Sequence, residues 1–271
     1  MSLAPKTAGK AGTTITYLEA GSGTPLVLLH GIGSAARSFR DQLDGLSANH
    51  RVIAWDAPGY SGSAALAPEA PTADDYAARL ATFLDDLGID ACHLLGHSLG
   101  CLMAARFAVR HPDRVRSLSL CSIAAGQGLL PESERRKLLD QRIGDLATFG
   151  ASEMARKRGP RLVAPGASDE VRQRVIDTMA AVRPDGYAQA ARMLSTGDIK
   201  ADVVRLPAAL PVQIVYGDAD VITPPAKNQE VAALRPDAPV TVVSNAGHAL
   251  YVEQPQAFNS TVARFLATTR S

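Results

Sequence analysis

Residues 92–110, CHLLGHSLGCLMAARFAVR, form the stretch of sequence that decides the fold. Within it, Gly96–Gly100 fits the pattern G-x-S-x-G, follows the apolar run CHLL and precedes the helix-like run LMAARFAVR. In this setting the pattern predicts a sharp turn from strand to helix that lifts the Ser98 hydroxyl clear of a sheet. Glycine is expected on both sides of the serine because a Cβ atom would not fit beside so tight a turn. Ser98 is therefore the predicted nucleophile.

Five further apolar runs have the composition of strands that are buried on both faces of a parallel sheet. They are PLVLL at 25–29, RVIAW at 51–55, VRSLSLC at 115–121, VQIVY at 212–216 and VTVV at 240–243. Segments with apolar residues three or four positions apart predict helices at Thr72–Leu87, Leu99–Val109 and Ala257–Leu266. The alternation of strands and helices predicts an α/β fold, with a mostly parallel, helix-flanked sheet and right-handed crossovers.

The segment 124–200 interrupts this alternation, because it has helix-like patterns broken by prolines and glycines but no convincing strand. A helical insertion between two strands is typical of a lid. We place this lid at the carboxyl edge of the sheet, where ligands of α/β proteins bind. The predicted organisation is a core of residues 1–123 and 201–271 with a helical lid of residues 124–200.

A serine hydroxyl is a weak nucleophile unless a base lies beside it. His248 follows the VTVV run and Asp220 follows the VQIVY run, so both are expected at the sheet edge that carries Ser98. His248 is the predicted base and Asp220 is the predicted acid that orients it. Asp218, two residues earlier, is interpreted as a turn or capping residue.

The oxygen that becomes negative when a serine attacks a carbonyl group needs hydrogen-bond donors. The backbone N–H of Leu99, directly after the nucleophile, is one predicted donor. The loop of residues 30–33, which follows the PLVLL run, is expected to supply the other donor from the Ile32 N–H. His30 is expected to orient this loop, and His97 is interpreted as a packed or hydrogen-bonded residue rather than a second base.

Five motifs together resemble the α/β-hydrolase superfamily over nearly the whole chain, and they occur in the order that such proteins show. They are HGIG at 30–33, DAPGYSGS at 56–63, GHSLG at 96–100, GDADVITPP at 217–225 and AGHALYVEQP at 246–255. The order Ser98, Asp220, His248 is that of the catalytic triad in this superfamily. Within it, the sequence is similar to the small carboxylesterases, the enol-lactone hydrolases and the carbon–carbon hydrolases of aromatic degradation.

This resemblance implies the α/β-hydrolase fold and a serine hydrolase that cleaves a small, largely apolar carboxylic ester or lactone through an acyl-enzyme. It implies no cofactor and no metal. Haloalkane dehalogenases and epoxide hydrolases of this fold use an aspartate as nucleophile, and Ser98 disfavours both.

Three alternatives were weighed against this function. The first is a carbon–carbon bond hydrolase that acts on a ring-fission (vinylogous diketone) acid with the same triad. The second belongs to another class, a non-catalytic receptor for a small ligand on the same fold. The third is a dinucleotide-binding protein, because GIGSAA at 31–36 and Asp56 match that fingerprint. This third function is disfavoured, since it leaves Ser98, Asp220 and His248 unexplained.

Arg192 and Met193, in the last segment of the predicted lid, are the candidate substrate-binding residues. Arg192 would bind a substrate carboxylate, as a carbon–carbon hydrolase of this kind requires. Met154, Met179 and Met193 have flexible thioethers that suit an adaptable apolar pocket, although ordinary packing of the lid explains them equally well.

The composition disfavours several classes of function. The chain is 46% hydrophobic and 20% charged with a formal net charge of +1, so neither a nucleic acid nor an anionic membrane is an expected partner. No apolar run approaches the ~18 residues of a membrane helix, and no apolar stretch follows the first lysines. Cys92, Cys101 and Cys121 form no C-x-x-C pair and are expected to be free thiols. We expect a cytoplasmic enzyme with a small-molecule substrate, and the sequence predicts no oligomeric state.

Overall fold

The computed structural model of the protein describes residues 3–269. Within these residues eight strands form one sheet: β1 Lys6–Ala8, β2 Ile15–Ala20, β3 Thr24–Leu29, β4 His50–Trp55, β5 Cys92–His97, β6 Val115–Cys121, β7 Val212–Gly217 and β8 Val240–Val243. Their order across the sheet is β1-β2-β4-β3-β5-β6-β7-β8. Strand β2 is antiparallel to both of its neighbours, and the other five pairings are parallel. The predicted fold class is confirmed.

The same part of the chain contains ten α-helices. They are α1 Arg40–Leu46, α2 Ala73–Asp86, α3 Leu99–Arg110, α4 Glu132–Arg158, α5 Asp169–Ala180, α6 Pro184–Thr196, α7 Ile199–Val203, α8 Pro225–Ala232, α9 Leu250–Glu253 and α10 Pro255–Thr268. Helix α2 begins at Ala73, next to its predicted first residue Thr72. The Thr72 N–H donates a hydrogen bond to the Asp75 carboxylate over 2.7 Å, and this cap fixes the start of the helix. The ends of the three helices predicted from periodicity lie within two residues of the observed ends, and α3 begins at Leu99 as predicted.

Successive residues of the central strands point to opposite faces of the sheet, and helices cover both faces. Val27 and Leu29 of β3 share a hydrophobic core with residues of α2 and α3. Leu26 and Leu28 of the same strand belong to a second core with residues of α1 and α10. All four side chains are fully buried, and the burial of each stabilises the fold by about 1.5–3 kcal/mol.

Helices α4, α5 and α6 lie between β6 and β7 in the chain, in the segment predicted to form a lid. The described residues contain no strand between Cys121 and Val212. Helix α4 is kinked at Gly150, whose φ of 71° lies in the left-handed region that favours glycine. The lid boundary predicted at residue 200 falls inside α7, which begins at Ile199.

Within residues 3–269, no helix is both long and apolar enough to cross a membrane. Cys92, Cys101 and Cys121 are buried, and none of them takes part in a disulfide.

Candidate active site

Ser98 occupies a strained turn between β5 and α3, with φ of 53° and ψ of −117°. This turn requires the flanking glycines that the sequence shows. A Cβ atom on Gly96 would lie 2.5 Å from the Gly100 carbonyl oxygen, and one on Gly100 would lie 2.1 Å from the Leu29 carbonyl oxygen. The Ser98 N–H donates to the Cys121 carbonyl over 2.9 Å, so β6 helps to hold the turn in place. Backbone strain of this kind costs on the order of 1–3 kcal/mol and is typical of functional sites.

Asp220 and His248, which lie on the loops after β7 and β8, are hydrogen-bonded to each other. His248 Nδ1 is 2.9 Å from Asp220 Oδ2, and both side chains are buried. The other carboxylate oxygen of Asp220, Oδ1, accepts hydrogen bonds from the N–H groups of Ile222 and Thr223, each over 2.8 Å. The Thr223 hydroxyl donates to Oδ2 over 2.8 Å.

These donors decide the charge of Asp220. Burial favours the neutral acid, but the hydrogen bond and positive charge of His248 and the donors of Thr223 outweigh it and lower the pKa of Asp220 to about 2. An ionised carboxylate only accepts hydrogen bonds, so the proton of the shared bond resides on His248 Nδ1. His248 Nε2 is then left as the acceptor.

Ser98 and His248 face the same cavity. Among residues 3–269, the Ser98 hydroxyl has no hydrogen-bond partner, and it makes none with His248. Catalytic hydrogen bonds are often long in enzymes without substrate and shorten when substrate binds. The structure therefore brings Ser98, Asp220 and His248 to one edge of the sheet, with the aspartate–histidine bond formed and the serine–histidine bond open.

His97 supports His248 from the opposite side. Its Nε2 is 2.8 Å from the His248 carbonyl oxygen, and the centroids of the two rings are 4.8 Å apart. Burial and the neighbouring charge of His248 lower the pKa of His97 to about 3, so the ring is neutral at neutral pH. The hydrogen bond from Nε2 and the burial of the ring agree with its interpretation as a packed, hydrogen-bonded residue.

The loop of residues 30–33 lies directly against the nucleophile. A Cβ atom on Gly31 would be 3.0 Å from the Ser98 Cβ. The Gly31 carbonyl is held by two donors, His30 Nδ1 at 2.8 Å and the Ser34 N–H at 3.1 Å. Because a trans peptide is planar, fixing this carbonyl also fixes the Ile32 N–H in the opposite direction.

The tautomer of His30 follows from its second hydrogen bond. His30 Nε2 accepts the Ala57 N–H over 3.0 Å, so its proton must be on Nδ1. Burial lowers the pKa of His30 and keeps the ring neutral. On the next peptide, the Tyr60 hydroxyl donates to the Ile32 carbonyl over 2.5 Å. His30 and Tyr60 therefore fix the carbonyls on both sides of the Ile32 N–H.

The cavity has a volume of about 960 Å³ and lies between the edge of the sheet and α4–α6. Of the predicted lid methionines, Met154 and Met179 line it. Its lining is strongly basic: among the residues that the structure describes, seven arginines or lysines line it, with two carboxylates, Asp145 and Asp177. The net charge of the whole chain gives no sign of this local excess.

The structure places neither of the two candidate substrate-binding residues, Arg192 and Met193, in the lining of the cavity. The Arg192 guanidinium forms an ion pair with Glu69 over 3.0 Å. Met193 is fully buried in the hydrophobic core that also contains α3. The physical reason is the orientation of α6, which turns Met193 into the core and Arg192 toward the loop before α2.

Glu253 was not identified from the sequence, yet it joins two parts of the site. Its Oε1 accepts the Gly247 N–H over 2.8 Å, and its Oε2 accepts the Ala164 N–H over 2.7 Å. In the same place the Ala249 N–H donates to the Leu162 carbonyl over 2.7 Å. The loop that carries His248 is thus bonded on both flanks to residues 162–164, either directly or through Glu253. Burial is the main cause of the raised pKa of Glu253.

Comparison with known proteins agrees with this geometry. A model of the alpha/beta hydrolase family matches residues 26–261, which is most of the chain. The chain belongs to this family. It also has the overall shape of two solved structures: a thermophilic esterase from Thermogutta terrifontis (TM-score 0.87, 24% identity, all of both chains) and the enol-lactonase from Burkholderia xenovorans (TM-score 0.86, 24% identity, 97% of this chain and 100% of the other).

Three sequence relatives of this α/β-hydrolase have different names. The dihydrolipoyllysine-residue acetyltransferase component of the acetoin cleaving system from Pseudomonas putida is 31% identical, over 97% of this chain and 69% of its own length. The putative carbamate hydrolase RutD of Pseudomonas savastanoi is 29% identical, over 89% and 93%. The (E)-2-((N-methylformamido)methylene)succinate hydrolase of Acinetobacter baylyi is 27% identical, over 94% and 95%. The family supports a hydrolase and leaves its substrate open.

Proposed function

We propose that this α/β-hydrolase is a serine hydrolase that cleaves a small carboxylic ester or lactone through an acyl-enzyme. One observation carries the proposal. His248, which is hydrogen-bonded to the buried Asp220, faces the same cavity as the strained Ser98, although the three residues are far apart in the chain. A purely structural role would not require a strained serine directed into a cavity beside a hydrogen-bonded histidine.

In the first half of the reaction, His248 Nε2 takes the Ser98 proton as Oγ bonds to the carbonyl carbon. The carbonyl oxygen becomes negative and is held by the N–H groups of Ile32 and Leu99, each worth about 3 kcal/mol in the transition state. Asp220 keeps His248 in the Nδ1–H tautomer and stabilises its positive form. The imidazolium then gives its proton to the leaving oxygen, the C–O bond breaks, and the acyl group remains on Ser98.

The second half repeats these roles with water as the nucleophile. His248 takes a proton from water, whose oxygen attacks the acyl carbon. The tetrahedral intermediate collapses, Ser98 regains its proton and the carboxylic acid leaves. These steps use groups of the chain and water, so the mechanism needs no metal and no cofactor.

The names of the relatives support hydrolysis of a bond at a carbonyl carbon. One relative is named as a putative carbamate hydrolase and one as a hydrolase of a succinate derivative, and a structural neighbour is an enol-lactonase. The basic lining also favours a second candidate, hydrolysis of a carbon–carbon bond in a ring-fission acid, because a cation would then bind the substrate carboxylate. The partner in either case is a small molecule.

The proposal is tested with 4-nitrophenyl butyrate, a ring-fission dienoate and intact-mass analysis of the protein after brief exposure to each. We expect the wild type to gain the mass of one acyl group. In Ser98→Ala we expect kcat to fall by several orders of magnitude. Ser133→Ala, at an exposed position of α4, is the matched control and should be unchanged. Turnover of the dienoate alone would select the carbon–carbon reaction. Ligand binding with slow turnover that Ser98→Ala does not alter would identify a receptor instead.

A further inference from the structure

Helix α4 places a guanidinium on the wall of the cavity with most of its hydrogen-bonding capacity unused. Arg142 is half-buried, and its Nη1–H donates to the Tyr187 hydroxyl over 3.3 Å. Arg142 forms no ion pair with any carboxylate of residues 3–269. A guanidinium carries five N–H donors, and a charge kept partly out of water without a counter-ion is unfavourable. An unsatisfied cation in this position indicates a ligand that is anionic.

The two carboxylates of the cavity form no ion pair with Arg142. Asp145 pairs with Arg158 over 2.5 Å. Asp177 accepts a hydrogen bond from the neutral Gln173 side chain over 2.7 Å. The cations of the described lining therefore outnumber its carboxylates, and Arg142 is left without a counter-ion.

Two other arginines of the cavity are already occupied. Arg37 donates to the backbone carbonyls of Asp177 and Thr178, over 2.8 and 3.2 Å. Arg174 forms an ion pair with Asp41 over 2.7 Å. Both hold the lid against the core, so neither offers its full donor set to a ligand.

Arg40 and Arg161 also line the cavity, and neither has an ion-pair partner in the described part of the chain. Both are exposed to solvent, where water satisfies their donors and screens their charge. They would attract an anion toward the cavity without fixing its position. Arg142, which is half-buried, is the cation suited to hold one.

Arg142 lines the same cavity as the predicted reacting groups, Ser98 and His248. Its partner Tyr187 and Tyr60 are both buried, and the Tyr60 hydroxyl holds the Ile32 carbonyl in the predicted oxyanion loop. Because these groups share one cavity, a single small molecule can present an anionic group to Arg142 and a carbonyl group to Ser98.

We propose that Arg142 is the centre of an anion subsite, and that the preferred substrate of this enzyme is an ester or lactone with a second, free carboxylate. The inference rests on the proposed hydrolase function and replaces the expectation of a largely apolar substrate. A planar guanidinium fork matches a carboxylate in two parallel hydrogen bonds, which gives orientation as well as affinity. The carboxylate belongs either to the acyl part or to the alcohol part of the substrate.

The test compares esters that differ in one charge. 4-Nitrophenyl butyrate is the neutral reference. The 4-nitrophenyl monoesters of succinate, glutarate and adipate place a carboxylate on the acyl side at increasing distance, and 4-carboxyphenyl butyrate places it on the leaving side. We expect the wild type to prefer one charged ester in kcat/KM by about 10- to 100-fold. The best chain length then reports the distance from Ser98 to Arg142.

Substitution of the arginine should remove this preference and leave the basic chemistry intact. Arg142→Gln should lower kcat/KM for the charged ester by about 10- to 100-fold and change the neutral ester by less than about 3-fold. Arg142→Lys keeps the charge but loses the fork, so it should fall between the two. Arg192→Gln, outside the cavity, is the matched control, and thermal melts of all variants confirm that each is folded.

The two proposals fail in different ways. If the neutral ester acylates Ser98 but Arg142→Gln leaves the ratio of charged to neutral turnover unchanged, the anion subsite is wrong and the hydrolase function stands. If no ester acylates Ser98, the proposed ester or lactone hydrolysis is wrong. In that case calorimetric titration of monomethyl glutarate into the wild type and Arg142→Gln still decides the subsite, since only the wild type should bind it.

Discussion

At the scale of single residues, the site depends on the charge of one buried carboxylate. Asp220 has every oxygen lone pair directed at a donor: two backbone N–H groups, the Thr223 hydroxyl and His248 Nδ1. Its pKa of about 2 means that it stays ionised throughout the ordinary pH range. A neutral group of the same shape would allow the wrong tautomer of His248.

Asp220→Asn should therefore lower kcat by about four orders of magnitude while the protein stays folded. Asp218→Asn is the matched control, because Asp218 is exposed and its Oδ1, which accepts the Ala246 N–H, remains an acceptor in the amide. Steady-state kinetics on 4-nitrophenyl butyrate make the comparison. A larger loss in Asp218→Asn than in Asp220→Asn would show that the acid had been misassigned.

The pKa of Asp220 also excludes this carboxylate as the cause of activity lost in mild acid. Since the carboxylate protonates only near pH 2, activity lost on acidification above pH 4 cannot come from Asp220. The acid limb of kcat/KM should therefore not move in Thr223→Val, which removes one donor from Asp220 and raises its pKa only within the acid range. A limb displaced upward by a full pH unit in that variant would contradict this assignment.

At the scale of secondary-structure elements, the glycines of the β5–α3 turn are packing constraints. Gly100→Ala should destabilise the protein by at least about 1–3 kcal/mol, because the new Cβ would lie 2.1 Å from the Leu29 carbonyl oxygen of β3. Gly144→Ala in α4 is the matched control: no atom lies within 4 Å of its Cβ position, and alanine in a helix is favoured by about 0.5–1 kcal/mol. Urea unfolding curves should shift in opposite directions for the two variants.

Glu253 also acts between secondary-structure elements, because its carboxylate links α9 to the loop of His248 and to residues 162–164. Glu253→Gln leaves one oxygen acceptor for two N–H groups, so Gly247 or Ala164 loses its partner at a cost of about 1–3 kcal/mol. We expect lower kcat and faster amide hydrogen exchange at Ala164. Glu153→Gln, on the outer surface of α4, should change neither, and equal effects in both variants would refute the link.

The elements that could be predicted are those whose local sequence pattern matches their burial in the fold. The β5–Ser98–α3 unit was identified because apolar strand, glycine turn and amphipathic helix follow one another without interruption. Strands β1 and β2 were missed because β1 has three residues, largely exposed, and β2 is interleaved with polar side chains. No short apolar run marks either strand.

The residues between β6 and β7 that line the cavity could not be predicted from the sequence, for a different physical reason. Helix α6 is amphipathic, but its pattern does not say whether its apolar face lines the cavity or the core. Only its packing places Met193 in the core and Arg192 beside Glu69. Helix α4 carries charged residues around its whole circumference, so nothing in its pattern distinguishes Arg142 from its neighbours.

At the scale of the whole molecule, buried neutral histidines link stability to pH. Burial is the main cause that lowers the pKa of His93 to about 4 and of His97 to about 3, and it lowers that of His30 as well. The unfolded chain binds these protons near pH 6.5, whereas the folded protein does not. Their contribution to stability is therefore complete above pH 6.5 and is lost progressively as the pH falls toward 4 and then 3.

His93→Gln should flatten the fall in the free energy of unfolding between pH 6.5 and 4, measured by urea titration at several pH values. The raised pKa values of Glu253 and Asp202 act with the opposite sign, so the comparison between variant and wild type isolates the histidine. His111→Gln, at a partly exposed position, is the control. An unchanged slope in His93→Gln would show that this ring is not a source of acid sensitivity.

The carboxylate shared between residues 162–164 and the His248 loop limits how freely this protein can be rearranged in evolution or in the laboratory. A segment 124–200 grafted from a relative would bring its own specificity. It would also break the hydrogen bonds that hold the His248 loop unless the backbone of residues 162–164 kept its position against Glu253 and Ala249. We expect working chimeras to preserve the backbone conformation of these three residues and to vary the helices before and after them. The segment that would set the substrate range therefore also holds the His248 loop, so the two properties cannot be exchanged independently.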